Sequence, residues 1–118
     1  MRCVGIVNRS RNVALANRVL VAESFLSRLR GLLFRPPLKT DEGLLFPNCR
    51  CVHGFWLASA IDCIALDTAW KVTATKTLEP GKIFLAPPET NFIFECSAGK
   101  IAATKTAPGD QLMEKTLA

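Results

Sequence analysis

From Gly43 onward the chain is a succession of short β-rich stretches, GLLF, CVHGFWL, IDCIAL, WKVTATKTL, KIFLA, NFIFEC and KIAATKT, set apart by Pro, Gly, Asn and Asp. Val, Ile, Phe and Thr suit a pleated surface, and Pro and Gly build the turns between strands, so this spacing predicts a small β-sheet or barrel. Upstream, CVGIV (Cys3 to Val7) and RVLVA (Arg18 to Ala22) read as two further strands, with the turn-like NRSRN between them. One segment changes period. In ESFLSRLRGLLF, Leu26, Leu29 and Leu33 fall at i, i+3 and i+7, which predicts a helix from about Ser24, its N-cap, to Leu32. Gly31 and the Pro36-Pro37 pair limit its extension. The expected fold class is mainly β (α+β): a compact, barrel-like β domain with one short helix in its N-terminal half. ATKTLEPG (Ala74 to Gly81) and ATKTAPG (Ala103 to Gly109) read as two Thr-rich strands, each running into a Pro-Gly turn.

A chain of 118 residues is one domain, 1–118, and buries enough surface to be stable without disulfide or metal staples. With 49% hydrophobic and 21% charged residues it has the composition of an ordered domain with a generous core. No apolar run approaches the roughly 18 residues of a membrane span, and MRCVGIVNRSRN lacks the apolar run and cleavage site of a secretion signal. The five cysteines are odd in number and irregularly spaced, unlike a secreted disulfide framework. The expected location is the cytoplasm, with reduced thiols.

Charge is unevenly placed. Residues 1–39 hold eight basic side chains against the single acid Glu23, whereas residues 40–118 hold seven basic and nine acidic ones. A basic face on the N-terminal third would attract polyanions weakly and without sequence preference; without stacking aromatics or a DNA-binding motif it reads as a solvated surface.

The stretch NCRCVHGFWLASAIDC concentrates three cysteines and the only histidine in sixteen positions. If Asn48 to Leu57 is a strand, its period of two places Cys49, Cys51, His53, Phe55 and Leu57 on one face. Cys-x-Cys-x-His offers three zinc ligands, with Cys63 or Cys96 as a fourth. Same-face residues on a strand are spaced by roughly 7 Å, however, and zinc–thiolate bonds are about 2.3 Å, so a straight strand cannot gather them. No metal or other cofactor is expected, and the cysteines read as small core hydrophobes. His53 differs, because a buried imidazole needs a partner for a ring nitrogen.

Two carboxylates interrupt apolar strands. Asp62 in AIDCIALD shares a face with Ile64 and Leu66, and Glu95 in FIFECSAG sits between Phe94 and Cys96. Either Asp62 opens into a polar cleft or it caps backbone amides at a strand end; for Glu95, an ion pair with Arg28 or Arg30 of the helix resolves the burial.

In order and spacing, SRLRGLLFRPPL, GLLF, HGFWLASAIDCIALD, KVTATKTLEP and FECSAG resemble the small bacterial and archaeal proteins of the DUF192 family, over roughly Arg18 to Leu112. The resemblance implies a mainly β, barrel-like domain with a short helix near its N-terminus, and no established activity. The positions that match are Arg28, Gly31, Leu32, Gly43, His53, Phe55, Ile61-Asp62, Leu66-Asp67, Pro80, Glu95 and Gly99. Where family members often carry Met and a basic residue before the Asp, this chain reads Leu57-Ala58-Ser59-Ala60, so a cation able to hold an anionic ligand is missing.

Arg28, His53, Asp62 and Glu95 are therefore the candidates for a shared ligand-binding cleft. The leading expectation is a ligand- or partner-binding accessory domain, with an unknown small ligand or protein as partner. A small enzyme, with His53 as general base oriented by Asp62 and Arg28 holding an anionic substrate, is the alternative. A nucleic-acid-binding regulator is the third reading. No phosphate loop, nucleophile elbow or HExxH occurs.

Overall fold

A computed structural model describes residues 2–22, 38–55 and 57–116. The strands among them are β1 (Cys3–Asn8), β2 (Val13–Val21), β3 (Glu42–Pro47), β4 (Cys51–His53), β5 (Ile61–Leu66), β6 (Val72–Leu78), β7 (Ile83–Leu85), β8 (Phe92–Ser97) and β9 (Leu112–Lys115), with a short helix α1 (Lys100–Thr104) between β8 and β9. The protein is a mainly β, barrel-like fold. The helix expected from Ser24 to Leu32 lies outside the described residues.

Seven strands form one sheet in the order β6-β5-β8-β3-β2-β1-β9, and β4 and β7 form a separate two-stranded ribbon. Within the large sheet only β2 and β3 are parallel neighbours among the described residues, so the connection between them must cross over. The sheet curls until its outer strands meet at one end. Lys71 and Gln111 form an antiparallel bridge, the Val72 N–H donates to the Asp110 carbonyl at 2.8 Å, and the Leu112 N–H donates to the Trp70 carbonyl at 3.0 Å.

Inside the curl, Val4, Ile6, Leu15, Val19, Leu45, Ile64, Leu66, Phe94 and Leu112 form the main core. The outer face of β5 and β8 is covered in turn, since Ile61, Cys63, Ala65 and Ile93 pack against Val52 and Phe84 of the ribbon. β5 is thus buried on both faces, which explains why IDCIAL, Asp62 apart, is apolar without alternation. Each fully buried Leu, Ile or Phe contributes about 1.5–3 kcal/mol, so both layers are needed. Gly43 permits close packing: a Cβ there would lie 2.6 Å from the Phe94 ring and 2.8 Å from the Glu95 carbonyl oxygen.

Three expectations are corrected. KIAATKT does not form a strand; Lys100–Thr104 is helical, and the residues at its two ends, Gly99 and Lys105, have φ of 93° and 58°. The two ATKT copies therefore differ, the first lying in β6 and the second in α1 and the turn after it, because only the first has a strand beside it to pair with. The strand expected from Asn48 to Leu57 is confined to Cys51–His53. Gly54 ends it: its N–H donates to the Lys82 carbonyl, and its backbone passes so close to Glu79 that a Cβ would lie 2.7 Å from that carbonyl oxygen.

Candidate functional site

Asp62 is 1% exposed and opens the inner face of β5. Its Oδ1 accepts a hydrogen bond from Thr77 Oγ1 and its Oδ2 one from the Ile101 N–H, both at 2.8 Å. The N-cap of α1 is Gly99, which has no side chain to cap with, so Asp62 supplies from the barrel the acceptor that a Ser or Asp cap provides elsewhere.

Glu95 is 0% exposed and faces the other way. Register places it opposite Cys63 of β5 and Leu44 of β3, whereas Asp62 stands opposite Cys96. Directly opposed residues share a face, so the sheet separates the two carboxylates. Burial first, then the Asp62 charge and, less strongly, the Glu95 charge push the Cys96 thiol up to about 12, against the pull of Lys100. Arg28, the fourth candidate, lies outside the described residues, as does any pairing of it with Glu95.

His53 lies on the ribbon. Its ring stacks on Phe55 with centroids 4.7 Å apart and planes at 25°, and the Phe55 N–H donates to Nδ1 over a long 3.5 Å. Because Val52 and its partner Phe84 face the sheet, Cys51, His53, Ile83 and Leu85 face outward. Asp62, by contrast, points into the curl, so the structure does not bring His53 and Asp62 together as an oriented general base. Nor does it gather His53, Asp62 and Glu95 into one cleft.

The outward side of the ribbon is apolar. Cys51 lies opposite Leu85, His53 opposite Ile83, and Phe55 extends the strip. Phe55 is 55% exposed, Ile83 58% and Leu85 64%. Sequence reading found His53 and Phe55 but missed Ile83 and Leu85. Their signal was a strand, IFL, apolar on both faces and bounded by Pro-Gly and Pro-Pro.

The backbone of β7 adds a second feature. The Gly54 N–H donates to the Lys82 carbonyl and the Ala86 N–H to the Arg50 carbonyl, which fixes the phase of the ladder: even-numbered residues bond across the ribbon. The N–H and C=O groups of Ile83 and Leu85 then point to the outer edge of β7, where no strand pairs with them among the described residues.

The cysteines of CRCVH divide. Cys49 is half-buried against the outer clusters, its Sγ 3.4 Å from the Cys51 carbonyl oxygen, while Cys51 is exposed. The expectation of core packing thus fails for Cys51, because none of the described residues is laid over the outward face of the ribbon. Among the described residues no group of three or more His, Cys, Asp or Glu side chains is gathered to hold a metal ion, and no helix is long and apolar enough to cross a membrane.

A buried polar cluster tethers the end of β1. The Asn8 side-chain amide donates to Thr106 Oγ1 at 3.1 Å and to Asp110 Oδ2 at 3.0 Å, and Arg11 Nε donates to the same carboxylate oxygen at 3.0 Å. Burial alone would raise the pKa of Asp110, but hydrogen bonds from Arg11, Asn8 and the Ala107 N–H, with the Arg11 charge, outweigh it and hold the carboxyl below its ordinary value. Arg2 pairs likewise with Glu114, so part of the N-terminal basic charge is neutralised locally.

Comparison with known proteins gives a family model, DUF192, described as "Uncharacterized ACR", that matches residues 6–113. A UPF0127 protein of Pyrococcus horikoshii is 32% identical over 110 residues, covering 91% of this chain and 96% of that one. A UPF0127 protein of Pyrococcus abyssi is 28% identical over 110 residues, covering 91% and 94%. Among solved structures, a protein of unknown function from Novosphingobium aromaticivorans superposes with a TM-score of 0.77 at 21% identity, over 94% of this chain and 83% of that one. A putative transcription regulator from Sinorhizobium meliloti gives 0.76 at 21% identity, over 94% and 91%. The two structural likenesses bear on the fold alone.

Proposed function

The chain belongs to the DUF192 family of uncharacterised proteins, and on that premise we propose that it is a partner-binding module that takes up an extended apolar segment of another protein along the outer edge of β7. The observation that carries this reading is the coincidence, at Ile83 and Leu85, of exposed apolar side chains with edge-facing backbone donors and acceptors. An open edge of this kind is usually blunted by charge or Pro, and here the two side chains beside it are aliphatic. A ribbon of three-residue strands is marginal by itself, and an added strand contributes main-chain hydrogen bonds while alternate side chains of the incoming segment meet Ile83, Leu85 and the His53–Phe55 stack.

The test is a selection of displayed random heptapeptides on the immobilised chain, followed by titration of the isotope-labelled protein with the enriched peptide. The reading expects apolar residues at alternate positions, amide shifts at Ile83 and Leu85, and loss of binding in Leu85→Lys. Enrichment of helical i, i+3, i+4 spacing, shifts that leave Ile83 and Leu85 unmoved, or no enrichment at all would contradict it.

A further inference from the structure

On β1, β2 and β9 the outer face of the sheet has no ribbon over it. Ile6 points into the core, so Val7 points out, and register sets Ala14 and Met113 on either side of it. With Val13, Arg9 and Lys115 these residues line an open groove of approximately 480 Å³. That size suits a small organic molecule. The centre of the floor is apolar: Val7 is half-buried, Ala14 lies beside it, and Met113 stands 41% exposed as a flexible wall.

The charges are arranged around this floor. Val7 pairs with Met113; Arg9 follows two residues later on β1's course, and Lys115 lies two residues further along β9, opposite Gly5. Because β1 and β9 are antiparallel, the two cations flank the apolar centre on opposite sides, each displaced by roughly 7 Å along the strands. Among the described residues no acidic side chain lines the groove. Arg2 and Arg11 are neutralised by Glu114 and Asp110, whereas Arg9 and Lys115 form no ion pair among the described residues. Two cations bracketing an apolar floor match a ligand with the complementary order of groups.

We propose that this groove binds a small organic dianion whose apolar body lies on Val7 and Met113 and whose two anionic ends meet Arg9 and Lys115. The site is separate from the β7 edge and stands or falls without it. Naphthalene-2,6-disulfonate is the probe, titrated into the isotope-labelled chain and followed at the backbone amides. The proposal expects saturable shifts centred on Val7, Ala14 and Met113, and affinity weakened about fivefold by Arg9→Ala and again by Lys115→Ala, the loss expected for one exposed ion pair each. Naphthalene-2-sulfonate, with one anionic end, should bind more weakly and lose affinity in only one of the two variants. Both side chains are exposed, so the variants retain the fold, checked by their unchanged melting. Absence of shifts in the groove, or affinity unaltered in the double variant, would overturn the proposal.

Discussion

Removal of the Asp62 carboxylate should loosen α1 before it disturbs the barrel. The carboxylate accepts one hydrogen bond from Thr77 Oγ1 and one from the Ile101 N–H, and the helix has no cap of its own because Gly99 stands at its N-cap. A hydrogen bond to a charged group is worth roughly 1.5–3 kcal/mol net, but Thr77 is exposed and its hydroxyl can turn to water, so the larger share belongs to the backbone amide. Asp62→Ala should therefore cost about 2–4 kcal/mol, Asp62→Asn about 1–2 kcal/mol because one acceptor survives, and Thr77→Val less than about 1 kcal/mol. A five-residue helix does not persist alone, so the Ile101 amide should also exchange faster in Asp62→Ala. Urea unfolding of the three variants, with amide exchange at Ile101, measures this. If Thr77→Val is as damaging as Asp62→Ala, or if Ile101 exchange is unchanged, the carboxylate does not hold the helix.

Gly43→Ala should lower stability by about 1–3 kcal/mol in thermal melts, because the Glu95 carbonyl 2.8 Å from the new Cβ belongs to the neighbouring strand and cannot swing aside as a side chain would; an unchanged melt would show that the sheet gives way there. Cys96 stays a thiol in the folded state up to about 12, chiefly through burial, against 9.0 when free, so its contribution is intact below pH 9 and is lost as pH rises above it, by about 1.4 kcal/mol per pH unit until the folded value is reached; Cys96→Ala should flatten that alkaline limb of a pH–stability curve. Asp110 has the opposite sign: its lowered pKa contributes stability above about pH 4 that is lost as pH falls through the folded value, and Asp110→Asn should flatten the acid limb. In thiol titrations of the native protein Cys3 and Cys51 should react promptly and Cys63 and Cys96 only on unfolding, and prompt reaction of Cys63 would mean that the ribbon opens readily.

Much of the fold is legible in local pattern. IDCIAL and NFIFEC emerge as β5 and β8 within a residue, because strands buried on both faces are apolar along nearly their whole length, Asp62 and Glu95 being the exceptions. β9 has no such pattern: LMEK alternates only briefly, and its pairing with β1 depends on residues more than a hundred positions away. The helix at Lys100–Thr104 was read as a strand since ATKT also builds β6, and only the neighbouring strand decides between them. Among the candidate residues, the burial of Asp62 and Glu95 followed from their apolar neighbours. That they lie on opposite faces also follows from their positions, Asp62 beside even-numbered core residues and Glu95 beside odd-numbered ones, once the register of β5 and β8 is known. Register is set by long-range pairing and not by either strand alone. Ile83 and Leu85 escaped notice for the opposite reason: an aliphatic residue in a strand reads as core, and its exposure becomes visible only when nothing covers it.

Amide hydrogen exchange at Ile83 and Leu85, with and without a saturating peptide from the heptapeptide selection, tests the docking edge most directly. In the protein alone these two amides should exchange fast, and that of Phe84, which points across the ribbon to Val52, slowly. The bound segment should slow Ile83 and Leu85 together, by about tenfold or more, as main-chain hydrogen bonds form. Bound peptide that leaves both amides exchanging at their original rates would show that β7 does not accept an added strand.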